Sequence, residues 1–280
     1  MKITYFGTTT LLFDDGIDQI LFDTHFTRPS LAKYIAGAKA ETNTALCDQL
    51  IKLHHIDRLK AIFVSHSHHD HVMDAPYIAN KCSATVYGSS SAKNVAIGGG
   101  VPEENIVVFE EGRAYSVGSY KIRILKSLHS KPTILNNDLG VPIEKPLRQP
   151  VGLREYKEGG SYDFYIEHED KKILIRPSFN YIEGQFDGIH ADVLFLGVAG
   201  LAKADEATEK VFFRETVEKT NPRLVIPVHW DNFFSSLENP VKGMPALIEK
   251  TDVVFFKLAK YCEEHGINCL IQYPRTSIEI

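Results

Sequence analysis

The sequence lacks the features that mark several classes of protein. Its four cysteines, Cys47, Cys82, Cys262 and Cys269, form no Cys-x-x-Cys pair, so neither a zinc ribbon nor a dithiol redox motif is indicated. We therefore expect free thiols in a reducing compartment. The sequence also has no long basic run, and its formal net charge is −5. This balance argues against nucleic-acid binding through a broad electrostatic surface.

Long apolar runs are missing as well. Residues 1–7 do not form the apolar region of a signal peptide, and no stretch approaches the ~20 apolar residues of a membrane-spanning helix. We therefore expect a cytoplasmic protein without a membrane span. The 280 residues are 44% hydrophobic and 24% charged, which is ordinary for a globular protein that buries its own core.

What the sequence does contain is a histidine cluster at residues 65–71, which read Ser-His-Ser-His-His-Asp-His. The apolar run 61–64 before it predicts a short buried strand, and Asp74-Ala75-Pro76 after it predicts the start of a helix. Side chains on such a strand-to-helix turn can converge on one point. Imidazole and carboxylate are ligands that zinc prefers, so we predict a metal site rather than a polar loop that happens to be rich in histidine.

The spacing within the cluster predicts two groups of ligands. His66 and His68 are two positions apart, so they point the same way if the backbone is extended. Asp70 and His71 lie beyond a bend and could face a second ion.

The pattern His66-x-His68-x-Asp70-His71 resembles the signature of the metallo-β-lactamase-fold hydrolases. The resemblance implies an α+β fold, the four-layer αββα sandwich, that would cover nearly the whole chain as one domain, 1–280. The opening hairpin and residues 227–229 resemble the branch that contains lactonase-like members acting on ascorbate phosphate and phosphodiesterase-like members.

The resemblance also implies two sets of metal ligands. Two further histidines each follow a predicted strand, 120–125 in one case and 224–228 in the other, where the family places ligands. The first ion would be held by His66, His68 and His129, and the second by Asp70, His71 and His229. We expect one or two zinc ions, with manganese or iron as alternatives.

One family ligand is absent from the sequence. The strand that corresponds to residues 171–175 ends in the family at an aspartate that bridges the two ions, whereas Ser178 stands at about that place here. We therefore expect the second ion to bind more weakly than the first. Asp23 matches another family aspartate, but we interpret it as a turn carboxylate that accepts from backbone amides. His25 is expected to be exposed on its loop.

The predicted chemistry is hydrolysis of a small molecule. A zinc ion lowers the pKa of bound water to about 7, and the resulting hydroxide could attack an ester, lactone, amide or phosphodiester. Asp70 is the predicted catalytic residue, because it could pass a proton from the attacking water to the leaving group. Two alternatives stay open: a metal-dependent redox protein, and a non-catalytic protein that binds a metal or ligand on the same fold.

Two segments are expected to lie near the site. Residues 130–160 are irregular and contain several prolines and glycines, which predicts a lid or loop that shapes the substrate pocket. Residues 28–56 include a predicted helix over 45–53 and could form a flap over the site.

Overall fold

The computed structural model describes residues 1–133 and 137–280 of the chain. Seven α-helices are found in this part: α1 (Leu31–Ile35), α2 (Thr44–Leu53), α3 (His69–Val72), α4 (Ala75–Cys82), α5 (Ser90–Gly98), α6 (Glu206–Phe213) and α7 (Thr251–Glu264). The strands are β1 (Lys2–Gly7), β2 (Thr10–Asp14), β3 (Gln19–Phe22), β4 (Lys39–Ala40), β5 (Leu59–Phe63), β6 (Thr85–Gly88), β7 (Ile106–Val108), β8 (Ala114–Val117), β9 (Tyr120–Ser127), β10 (Val151–Gly152), β11 (Ser161–His168), β12 (Lys171–Arg176), β13 (Val193–Gly197), β14 (Leu224–Val228), β15 (Asn268–Cys269) and β16 (Thr276–Glu279).

The first large sheet has the strand order β16-β1-β2-β3-β5-β6-β7, and its strands β1 to β3 are buried on both faces. Successive side chains in a strand point to opposite faces, and β2 shows the consequence. Leu11 and Phe13 enter the core between the two sheets, while Leu12 enters a second core beneath the helices. Leu46 and Leu50 of α2 belong to that second core. The apolar residues of β2 and β3 are therefore consecutive rather than alternating.

The second large sheet has the strand order β15-β14-β13-β12-β11-β9-β8 and packs face to face on the first. Aromatic rings join the two sheets, with ring centroids 5.2 Å apart for Phe22 and Phe164 and 6.2 Å apart for Phe13 and Phe195. Phe212 of α6 and residues of α7 cover the outer side of this sheet. The layers are thus helices, sheet, sheet and helices, which confirms the predicted four-layer αββα sandwich.

The direction of the strands brings polar loops together at one edge of each sheet. In the first sheet β3 and β5 are parallel. In the second, β9 and β12 are both antiparallel to β11, and β12, β13 and β14 are mutually parallel. The carboxyl ends of β9, β12 and β14 therefore share an edge, as do those of β3 and β5. Ligands commonly bind beside such strand ends.

Most predicted elements are found within one or two residues of their expected bounds, and the helix predicted at Asp74 is α4, with Pro76 in its first turn. The short helix α3 inside the histidine cluster and the last strand β16 were not predicted. The flap interpretation of residues 28–56 is wrong for α2, because its apolar face packs under the first sheet. Only Tyr34, in α1, reaches the cavity described below among residues 28–56.

The lid at 130–160 remains a prediction, and residues 134–136 of that segment lie outside the described residues. The four cysteines are free thiols, in agreement with the expected absence of a disulfide framework. Across residues 1–133 and 137–280, no helix combines the length and apolar character that crossing a membrane requires.

Candidate metal centre

Three histidines from two strand ends face one another at the mouth of the sandwich. His66 and His68 follow β5, and His129 follows β9. Their ring centroids are 4.8–4.9 Å apart in all three pairs, and one nitrogen of each lies within 4.8 Å of a nitrogen of the others. The structure therefore brings together the three residues that were predicted for the first ion.

Each of these imidazoles has one nitrogen held by a neighbour. Nδ1 of His66 is 3.1 Å from Oγ of Ser65, and its buried Nε2 has no partner. Nδ1 of His129 donates to the carbonyl oxygen of Ser130 at 3.0 Å. Nε2 of His68 is 3.1 Å from Oδ1 of Asp138. Such contacts fix the ring orientation of a metal-binding histidine, and the orphaned Nε2 of His66 fits this function.

The second group adjoins the first, because the rings of His66 and His71 are 3.7 Å apart. Asp70 and His71 lie in α3, and His229 follows β14. Oδ2 of Asp70 is 3.5 Å from Nε2 of His71 and 3.4 Å from Nε2 of His229. Candidate ligand atoms of all three lie within 4.8 Å of one another. The donor set of two imidazoles and a carboxylate suits zinc.

Asp23 contacts the second group through His71. Its Oδ1 accepts from the amide of Ser65 at 2.7 Å, and its Oδ2 lies 2.7 Å from Nδ1 of His71 and accepts from Oγ1 of Thr9. Of these contacts, only the one with the Ser65 amide is what a turn carboxylate was expected to make. Asp23 also orients His71, as a carboxylate behind a metal-binding histidine does.

The turn between β1 and β2 holds His229 in place. The amide of His229 donates to the carbonyl oxygen of Thr8 at 2.6 Å, and the buried Asp231 accepts from the Thr8 amide at 2.7 Å and pairs with Arg28 at 2.8 Å. Asp23, Thr8 and His229 have φ of 50°, 51° and 63°, which L-residues seldom adopt. Such backbone strain is concentrated at functional sites.

The protonation states suit metal binding in the first group. Burial, reinforced by the nearby His71, holds the pKa of His66 well below its ordinary value. Burial also lowers the pKa of His129 to about 4. Both imidazoles are neutral at pH 7, which is the form that binds a metal ion.

The second group is held together by charge. Burial alone would raise the pKa of Asp70, but His71 and His229 outweigh it and hold that pKa well below the ordinary range. Burial alone would lower the pKa of His71, but the carboxylates of Asp70 and Asp23 outweigh it and raise the pKa to about 10. A proton on His71 thus balances the carboxylates, and an ion bound here would have to displace it.

Ser178 is buried and lines the same cavity as His68, Asp70, His129 and His229. Its loop is tied to the first group, because Nδ2 of Asn180 donates to the carbonyl oxygen of His129 at 2.7 Å. Three acids line the cavity among the described residues. Asp70 belongs to the second group, Asp138 contacts His68, and Glu249 accepts hydrogen bonds from backbone amides.

Sequence comparison agrees with this geometry. The family model of the β-lactamase superfamily domain matches residues 2–229, which include both candidate ligand groups. The chain belongs to this β-lactamase superfamily. A relative from Roseiflexus sp. (strain RS-1), named "UPF0173 metal-dependent hydrolase", is 27% identical over 139 residues, which cover 48% of this chain and 57% of that protein. The chain thus spans little more than half the length of this relative.

Solved structures share the superfamily fold over the full chain. The metallo-β-lactamase fold protein YhfI from Bacillus subtilis has a TM-score of 0.61 at 13% identity, with 99% of each chain covered. An isothiocyanate hydrolase from Delia radicum gut bacteria has a TM-score of 0.60 at 14% identity, covering 100% of this chain and 99% of that one. At these identities the likeness concerns the fold alone.

The sequence-based interpretation was wrong for His25 and did not include Asp138. His25 was expected to be exposed but is fully buried, with Nδ1 3.0 Å from Oγ1 of Thr8 and Nε2 without a partner. Asp138 was not singled out, because an aspartate in an irregular segment carries no signal in the sequence. Its contact with His68 depends on how the segment folds back.

Proposed function

We propose that this chain is a metal-dependent hydrolase of small molecules that binds zinc at the two groups of three residues. The observation that carries the proposal is the presence of two groups, each with ligand atoms within 4.8 Å of one another, beside one cavity that members of both groups line. The donor set of imidazole and carboxylate favours zinc, with manganese or iron as alternatives. The name of the Roseiflexus relative, a metal-dependent hydrolase, supports the same activity.

The two groups would have different roles. His66, His68 and His129 would hold the first ion through neutral imidazole, and Asp70, His71 and His229 would hold the second with one negative charge. When bound, such an ion supplies Lewis acidity and lowers the pKa of water to about 7. The remaining requirements, which are orientation and proton transfer, fall to the side chains of the protein.

Asp70 is the proposed proton carrier. Its Oδ2 faces His71 and His229, whereas Oδ1 lies 3.8 Å from Nδ1 of His69, beyond hydrogen-bond range. The pKa of Asp70 is low, so the carboxylate is ionised and able to accept a proton. Asp70 would take a proton from the attacking water at Oδ1 and deliver it to the leaving group.

The cavity sets the size of the substrate. It has a volume of about 490 Å³, within the range of sites that bind small molecules. Esters, lactones, amides and phosphodiesters all present an electrophilic centre to water, and the net charge of −5 disfavours a nucleic acid. The redox alternative finds less support, since the uncharged Ser178 stands where iron-binding relatives usually carry an acidic ligand.

The proposal is tested by activity that depends on both metal and ligand residues. Purified protein, stripped with a chelator and reloaded with zinc, manganese or iron, is assayed on a panel of small esters, lactones, amides and phosphodiesters. We expect turnover of at least one class with zinc, none after stripping, and a loss in His66→Ala. His265→Ala is the matched control, because that histidine is exposed at the carboxyl end of α7 and belongs to neither ligand group. Turnover that survives stripping, or a metal-loaded protein inert on the whole panel, would overturn the proposal.

A further inference from the structure

The cavity beside the two ligand groups is more positive than the chain as a whole. The chain has a formal net charge of −5, yet three lysines and an arginine line the cavity: Lys131, Arg154, Lys157 and Lys203. Among the described residues none of the three lysines forms an ion pair with a carboxylate. The guanidinium of Arg154 donates to the carbonyl oxygen of Ile35 at 3.1 Å and lies over the ring of Tyr34, 5.8 Å from its centroid.

Three acids among the described residues also line the cavity, one fewer than the four cations, so the formal charge of its lining stays positive. Asp70 belongs to the second ligand group, and Asp138 is in contact with His68. Both oxygens of Glu249 accept from backbone amides, those of Gly200 and Ala202, at 2.8 Å each. Ser178 contributes no charge where the family has a carboxylate. Each divalent ion bound at the ligand groups would add further positive charge.

The same cavity offers an apolar surface. The ring of Tyr34 stacks on His69 with centroids 5.3 Å apart. The ring centroid of Phe234 lies 5.7 Å from that of Tyr34 and 4.4 Å from that of Phe233. These aromatic side chains line the cavity together with Asp70 and His229. A substrate that reaches the ligand groups can therefore place a flat apolar body on this surface.

We propose that the cavity takes a small anionic substrate whose carboxylate or phosphate group is held by Lys131, Lys157 and Lys203 while its apolar body packs on Tyr34, Phe233 and Phe234. This inference rests on the proposed function and names the substrate class of that site. In the reaction the water oxygen bonds to the acyl carbon, the bond from that carbon to the leaving oxygen breaks, and a water proton ends on the leaving oxygen. An anion would supply the negative charge that the cavity lacks.

The first test compares matched substrates on the zinc-loaded protein. The anionic substrate is 3-(4-acetoxyphenyl)propanoate, and its neutral partner is the propanamide, which has nearly the same leaving group. A phosphonate in place of the carboxylate distinguishes the two kinds of anion, and a primary amine supplies the cationic comparison. We expect kcat/KM for the better anion to exceed that of the amide about tenfold, because three exposed charge pairs each contribute only a few-fold.

Variants show whether the lysines cause the preference. In the triple variant Lys131→Gln, Lys157→Gln, Lys203→Gln (the cavity variant), the ratio of kcat/KM for the anion to kcat/KM for the amide should fall most of the way to one. The control carries Lys52→Gln, Lys172→Gln and Lys210→Gln, three exposed lysines away from the cavity, and should keep it. Equal kcat/KM for anion and amide in the wild type, or a ratio unchanged in the cavity variant, would overturn the inference.

A binding measurement separates this inference from the proposed function. Titration calorimetry with phenylphosphonate on zinc-loaded protein should show affinity about tenfold weaker in the cavity variant than in the control, at equal zinc content. If the lysines govern this binding but no ester, lactone, amide or phosphodiester is turned over, the anion site stands and the hydrolase proposal fails. If phenylphosphonate binds all three proteins equally, it binds the metal alone and the anion site is refuted.

Discussion

Oδ1 of Asp138 lies 3.1 Å from Nε2 of His68, so only Nδ1 of that ring is available to a metal ion. We expect Asp138→Ala to weaken zinc binding at the first group about 10–100-fold, as the loss of a carboxylate behind a metal-binding histidine does. Competition with a chromophoric chelator measures the affinity. Asp57→Ala, which removes an exposed aspartate outside the cavity, is the control and should bind zinc as the wild type does. Wild-type zinc affinity in Asp138→Ala would contradict the assigned role.

A second prediction concerns Asp70, whose carboxylate is proposed both as a metal ligand and as the proton carrier. Asp70→Asn keeps the shape of the side chain but removes its charge and its ability to take a proton. We expect at least about a hundredfold loss of kcat, in line with the contribution of general acid–base catalysis. Circular dichroism should show the same fold in both proteins. Wild-type turnover by the variant on a good substrate would exclude a catalytic Asp70.

A third prediction follows from the uncharged Ser178. A bridging carboxylate offsets the repulsion between two dications, whereas a neutral hydroxyl gives little compensation. Calorimetric titration of the wild type with zinc should therefore resolve one tight site and one weaker site. Ser178→Asp should raise the zinc affinity of the second site. Ser178→Asn, whose side chain has the size of aspartate but no charge, should leave that affinity unchanged. Two equally tight ions in the wild type, without an added bridging anion, would refute this interpretation.

A fourth prediction uses the buried Asp74, whose Oδ2 accepts from the amides of Phe26 and Thr27 while Oδ1 has no partner. Burial raises the pKa of Asp74 from 3.8 to about 6 in the folded protein. The folded state thus binds the proton more tightly than the unfolded state. The resulting stability is fully present below about pH 4 and is lost as the pH rises through about 6.

Urea denaturation of the metal-free protein between pH 4 and pH 7.5 checks this effect. Relative to Asp74→Asn, which cannot ionise, the wild type should lose about 3 kcal/mol of unfolding free energy across two pH units. Asp57→Asn should instead run parallel to the wild type. Parallel curves for the wild type and Asp74→Asn would show that Asp74 has an ordinary pKa.

The parts of the site that the sequence predicts are those placed by local structure. His66, His129 and His229 each follow a strand whose apolar run is visible in the sequence, and parallel strands bring their carboxyl ends to one edge. The consecutive apolar residues of strands such as β2 likewise indicate the layers, because a strand of this kind is buried on both faces.

The parts that the sequence does not predict depend on distant packing. Asp138 reaches His68 across 70 positions of the chain, and β16 pairs with β1 through Glu279 and Lys2. His25 is buried because the turn after β1 covers it, and nothing in its local sequence indicates this. The cationic lining of the cavity also comes from separate segments, so it emerges only once they are folded together.

The most direct test of the two ligand groups is anomalous diffraction at the zinc edge from crystals grown with limiting and then excess zinc. With limiting zinc, we expect one strong peak about 2.0–2.1 Å from nitrogen atoms of His66, His68 and His129. Excess zinc should add a second peak beside Asp70, His71 and His229. His66→Ala should lose the first peak, whereas His265→Ala should keep both. Zinc peaks confined to other residues, or a first peak that survives in His66→Ala, would contradict the account.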